Sequence, residues 1–195
     1  MVISSNLIVV DFIIVGLGNP GKEYELTRHN VGYLVIDILC NRYGGSLKKE
    51  TPNSMADTIR IGDKKVLIAK PTTYMNDSGK GVGEIIRRYK SEPKQLIVIQ
   101  DELDLELGDV KIKVGGGLAG HNGLKSIKDH IQSSDFIRIR IGIGKPTHSS
   151  RGASHVLKAF SKKETEEFKI SCEHAADAIE LIINTDIANA MNQIH

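Results

Sequence analysis

The stretch Ile13–Gly32, IIVGLGNPGKEYELTRHNVG, constrains the fold more than any other part of the chain. Ile13-Ile14-Val15 has the length and β-branched content of a buried strand. It runs into a glycine-rich turn, Gly16 to Gly21, and a charged connector leads on to His29-Asn30. From there Val31, Leu34, Val35, Ile38 and Leu39 follow at helical spacing. Asn19 therefore lies just beyond the carboxyl end of a strand, and His29 at or just before a helix start. Open α/β sheets collect their ligand sites along that edge.

The same stretch matches a dinucleotide fingerprint, Gly16-x-Gly18-x-x-Gly21, with Asp37 near the ribose-binding offset. Two features count against a nicotinamide site. Pro20 keeps a helix from running through the turn. Asp37 falls inside the helical stripe, whereas a ribose-binding acid closes a second strand.

The rest of the chain alternates strand and helix patterns. Thr58–Ile61 and Val66–Ala69 read as strands around Gly62-Asp63, and residues 46–57 read as irregular. A loop, Lys70 to Gly79, hands over to a helix bearing Val82, Ile85, Ile86 and Tyr89. Asn76 in that loop is either a helix cap, with Asp77 and Ser78, or a group turned toward a substrate. Leu96–Ile99 is a buried-strand run, followed at once by Gln100-Asp101-Glu102. Those acids sit either in a solvated loop or at the strand edge that Asn19 occupies.

Val110–Val114 alternates, with Ile112 and Val114 opposite Lys111 and Lys113. Phe136–Ile143 alternates isoleucine with Arg138 and Arg140. Lys113 and Arg140 could clamp a phosphate if the two strands are close; otherwise these faces are simply solvated. Between the strands lies Gly115–Gly123, five of whose nine residues are glycine and which carries His121-Asn122. Such a loop can turn backbone amides toward an anion. Residues 145–158 read as a polar loop with Ser149 and Ser150. Ser161-x-x-Glu164 is a capping box ahead of a long apolar-faced helix, and Thr185-Asp186 caps a last one. A single α/β domain over residues 1–195 is expected. Its sheet should be mixed, mostly parallel and twisted, with helices on both faces.

Net charge is only +2, so a nucleic-acid partner would need a local basic patch rather than a global field. Cys40 and Cys172 both fall in helical apolar patterns and read as reduced core thiols. The apolar run 7–15 is too short to span a membrane. Residues 1–6 hold no Lys or Arg, so a secretory leader is not expected. Residues 1–11 either lengthen the first strand or form a tail.

The chemistry left open is narrow. No G-x-S-x-G elbow and no cysteine in an activating turn offers a nucleophile. No H-E-x-x-H or clustered Cys/His spacing marks a metal site, so ligands would have to come from distant residues. A histidine–carboxylate pair acting on water remains, with asparagine amides to hold the water or the oxyanion.

At this point four long segments carry a resemblance. VGLGNPGKEYELTRHNVG, KPTTYMNDSGKGV, QDELDLELGDVKIKVGGGLAGHNGLKSI and FIRIRIGIGKP occur in the order found in bacterial-type peptidyl-tRNA hydrolases. The end of the chain, Ala190-Met191-Asn192 and His195, is also similar to that family. The resemblance implies a single α/β domain hydrolysing the ester between a peptide and the tRNA 3′ end, without a metal or cofactor. It implies a cytoplasmic monomer with no membrane or obligatory protein partner. His29 would be the base and Asp101 its orienting carboxylate. Asn19 and Asn76 would position the ester and the water. Tyr24, Met75, His121 and Asn122 would line the peptide groove. Lys113 and Arg140 would bind the tRNA 5′ phosphate. Two rival readings stand beside it: a nicotinamide-dependent oxidoreductase on the glycine pattern, and a non-catalytic RNA-binding module on Lys111, Lys113, Arg138 and Arg140.

Overall fold

Seven strands hydrogen-bond into one mixed sheet. The computed structural model describes residues 8–146 and 152–195. The strands are β1 (Phe12–Gly16), β2 (Lys48–Thr51), β3 (Ser54–Ile61), β4 (Lys64–Pro71), β5 (Leu96–Glu102), β6 (Val110–Val114) and β7 (Ile137–Gly142). Their order is β2-β3-β4-β1-β5-β7-β6. The centre, β4-β1-β5-β7, is parallel. Both margins are antiparallel: β2 and β3 on one side, β6 on the other.

The central strands are apolar on both faces because helices cover both. Helices α1 (Val31–Tyr43), α5 (Lys162–Asn184) and α6 (Ile187–Ile194) close one core with Ile14, Ile97, Ile99, Ile139 and Ile141. Helices α2 (Ser78–Tyr89) and α3 (Asn122–Ile131) close the other with Ile13, Val15, Val98 and Phe136. The capping box at Ser161 and Glu164 forms as expected, and Asp186 caps α6 through Asn189 N. Cys40 lies in α1 and Cys172 is buried in α5, both free. None of the described helices is long and apolar enough to cross a membrane.

Two expectations need correction. Residues 46–57 are not irregular: they hold β2 and the first half of β3. Lys48, Lys49 and Glu50 hid the strand because it is an edge strand, where charge is tolerated and protective. The polar loop 145–158 contains a short helix, α4 (Gly152–Val156). Ser149 and Ser150 lie outside the described residues, as does most of the 1–11 segment. Within residues 8–11, Val10 is buried and Asp11 pairs through its backbone and carboxylate with Lys65.

The glycines at the end of β1 and just after it serve packing. A Cβ on Gly16 would collide with the carbonyl of Gly32 in the first turn of α1, and a Cβ on Gly18 would strike the Tyr33 ring. That space is filled by protein, so the turn offers no cradle for a pyrophosphate. The helix also begins only after two separate 3-10 turns, at Lys22–Tyr24 and Arg28–Asn30. This close approach of α1 to the end of β1 sets the second turn, and His29 with it, over the carboxyl edge of the sheet.

Candidate active site

His29, Asp101 and His121 meet at that edge. Asp101 is the penultimate residue of β5 and is 3% exposed, so the solvated-loop reading of these acids does not hold. His29 comes from the 3-10 turn before α1, and His121 is the N-cap of α3. His29 Nδ1 lies 2.8 Å from Asp101 Oδ1, and His121 Nε2 lies 3.0 Å from the same oxygen. The tautomers follow from donor counting. His121 Nδ1 accepts from Leu124 N at 3.4 Å, so its Nε2 carries the proton that it donates to Asp101. His29 donates from Nδ1, which leaves its Nε2 lone pair free. Burial alone would raise the Asp101 carboxyl; the two imidazoles outweigh burial and hold it well below the usual carboxylate range.

The group opens on a cavity of about 210 Å³, lined also by Glu102, Leu103, Gly120, Asn122 and, from α4, Ala153 and Val156. Asn19 lines the neighbouring groove with Asn30, Tyr33 and Lys70. Its backbone is fixed by a reciprocal pair: Asn19 N donates to Asn30 Oδ1, and Asn30 Nδ2 donates to Asn19 O. Asn19 Oδ1 accepts from Met75 N at 2.7 Å, which fixes the side-chain amide at the groove wall. Asn76 is exposed in the 3-10 turn Met75–Asp77; Asp77, not Asn76, holds the N-cap position of α2. Asn76 shares a further groove with Asn122, Lys125 and Ser126. Asn122 therefore borders both the His29 cavity and the Asn76 groove. Met75 is buried against Gly123, and Tyr24 meets Tyr74 edge to face at 6.2 Å.

The basic strand face is only partly as expected. β6 and β7 are adjacent, but Lys113 pairs in register with Arg138, and Lys111 with Arg140; Lys113 and Arg140 are diagonal neighbours on one face. Arg140 Nε donates to Glu102 at 2.9 Å, which leaves its terminal nitrogens available. Arg138 is not solvated at all: it is 1% exposed and donates to Gly115 O and Gly117 O, pinning the start of the glycine loop.

Several supporting residues escaped sequence reasoning. Asn30 was visible only as the neighbour of His29. Arg28 is buried and donates to Lys158 O, Ala159 O and Glu164, with its guanidinium 4.5 Å from the Phe160 ring centre. It ties the His29 turn to the start of α5. Glu102 was visible only as an acid beside Asp101, and the α4 wall gave no local signal.

Residues 13–195 match the family model described as Peptidyl-tRNA hydrolase. The chain belongs to the peptidyl-tRNA hydrolase family. Relatives named peptidyl-tRNA hydrolase include one from Nocardia farcinica, 46% identical over 185 residues, covering 94% of this chain and 95% of the relative. One from Mycolicibacterium gilvum is 43% identical over 184 residues, covering 94% and 96%. The crystal structure of peptidyl-tRNA hydrolase from Acinetobacter baumannii superposes with a TM-score of 0.89 at 37% identity, covering 96% of both chains. Membership in the peptidyl-tRNA hydrolase family makes this chain a hydrolase of the ester-cleaving kind and removes the oxidoreductase reading.

Proposed function

We propose that this chain hydrolyses the ester joining a peptide, or an N-blocked aminoacyl group, to the 3′ end of tRNA, with His29 as general base. The observation that carries the reading is the 2.8 Å contact from His29 Nδ1 to buried Asp101, which leaves Nε2 as the proton-accepting nitrogen of a residue that lines the cavity. In the proposed step, Nε2 takes a proton from water as the water oxygen bonds to the ester carbonyl carbon. The carbonyl becomes an oxyanion, and His29 becomes an imidazolium balanced by Asp101. Collapse breaks the bond to the ribose oxygen, which takes the proton back from His29. Peptide acid and free tRNA leave. Such a base contributes about 10²–10⁴-fold.

The amides of Asn19 and Asn76 hold the ester and the developing oxyanion, one such donor being worth roughly 10²–10³-fold. Substrate brings them to bear on the reacting atoms, since apo grooves tighten on binding. Met75, Asn122 and the Tyr24–Tyr74 pair bound the path of the peptide. Lys113 and Arg140 take the 5′ phosphate of the acceptor end. We place the enzyme in the cytoplasm as a monomer, recycling tRNA from the peptidyl-tRNA of aborted translation.

An assay on N-acetyl-aminoacyl-tRNA beside the unblocked aminoacyl-tRNA tests the reading. Rapid release of tRNA from the blocked form, and slow release from the unblocked form, is expected. Failure to cleave the blocked ester refutes it.

A further inference from the structure

We propose that His29, Asp101 and His121 form a binding site for one Zn²⁺ ion, and that filling it switches hydrolysis off. Among the described residues this is the group of His, Asp and Glu donors close enough to share an ion: its three ligand atoms all lie within 4.8 Å of one another. Two imidazole nitrogens with one carboxylate oxygen is a donor set that zinc takes, at about 2.0–2.2 Å per bond. Ligands on a tetrahedral ion at those lengths stand about 3.4 Å apart. The nitrogen–oxygen edges here are 2.8 and 3.0 Å, so they would open by a few tenths of an ångström. The nitrogen–nitrogen edge lies within 4.8 Å, in the range such an ion spans after small shifts of the two rings. All three residues border the cavity, which provides an entry path and a place for a water as fourth ligand.

Inhibition follows from proton placement. The ring nitrogens that would ligate zinc, His29 Nδ1 and His121 Nε2, are those that now carry protons toward Asp101. A ring bound to zinc through one nitrogen keeps its single proton on the other. His29 would then carry its proton on Nε2 and could not accept one from water. His121 would carry its proton on Nδ1 and lose the bond from Leu124 N, which at 3.4 Å is already long and costs little to give up. Each imidazole ends with one proton, so the two neutral rings take the ion by tautomer exchange beside the ionised Asp101. Zinc binding itself does not depend on the proposed function; only the inhibition arm rests on His29 Nε2 being the base.

The test is a calorimetric titration of the metal-free protein with zinc chloride at neutral pH, without RNA. One saturable site per chain is expected, and His121→Asn and Asp101→Asn should each weaken it by tenfold or more, since even an outer partner of a zinc ligand is worth about 10–100-fold. Zinc-edge X-ray absorption of the wild-type complex should report two imidazoles, and this readout stands whether or not a variant folds. Hydrolysis of an N-blocked aminoacyl-tRNA should fall as the site fills and return on adding EDTA. Absence of a saturable site, affinity unchanged in a folded His121→Asn protein, or a ligand shell without two imidazoles overturns the proposal. Metal-free protein that cleaves no ester instead overturns the function, and the titration still decides the site.

Discussion

Asp101→Asn removes a charge and keeps a shape. In the wild type, Asp101 and His29 side chains are 2% and 13% exposed, so their interaction is poorly screened by water. In the proposed transition state His29 gains a positive charge about 4 Å from the carboxylate. At an effective dielectric constant of about 20 that attraction is about 4 kcal/mol, and at 1.36 kcal/mol per decade it converts to about 10³-fold in rate. The asparagine also introduces an N–H. If it faces His29, it favours the tautomer with the proton on Nε2, which blocks the base. The carbonyl can serve only one orientation, while two imidazoles compete for it.

We therefore expect kcat to fall by about 10²–10⁴-fold with little change in KM for tRNA. The assay is single-turnover hydrolysis of N-acetyl-aminoacyl-tRNA across pH, with binding measured separately. A variant within about threefold of the parent would refute the pairing. So would a loss confined to KM.

Other outcomes follow from the same geometry. The Asp101 carboxyl titrates lower in the folded protein than in the unfolded chain. Its contribution to stability is therefore full above about pH 4, the unfolded carboxylate value, and declines as pH falls toward the folded value. Urea unfolding of wild type and Asp101→Asn should accordingly converge below that pH, and a gap that widens there would contradict it. Arg140→Ala should weaken 5′-phosphorylated substrate but spare one lacking the phosphate, with a shallower salt dependence. Equal losses on both substrates would dismiss the clamp. Gly16→Ala forces a Cβ into the Gly32 carbonyl and should cost about 2–3 kcal/mol in chemical denaturation. Arg138→Met should speed amide exchange at 115–121 more than elsewhere, because it frees Gly115 O and Gly117 O.

What could be read from the sequence was whatever local period and turn chemistry decide. The β1–α1 unit, β5 and the capped α5 and α6 were all visible as runs, stripes and caps. The edge strand at Lys48–Thr51 was not, because edge strands carry charge and lose the apolar alternation that marks a half-buried one. Arg138 shows the limit of pattern. Its alternation with isoleucine places it on the polar face of β7, but only the fold reveals that the glycine loop covers that face. At the site, His29 and Asp101 could be paired as a chemical type. That His121 shares the same carboxylate oxygen depends on where α3 begins relative to β5, a tertiary fact with no local signature. The motifs of the family carried the remaining roles, and Arg28, Asn30 and Glu102 came only from hydrogen bonds between distant segments.

The most direct test of the account is His29→Ala. Its rate of N-acetyl-aminoacyl-tRNA hydrolysis should be measured under single-turnover conditions, beside its affinity for uncharged tRNA. The account predicts a rate lower by at least about 10²-fold with affinity within a few-fold of the parent. Hydrolysis at near-parental rate by a folded His29→Ala protein would contradict it.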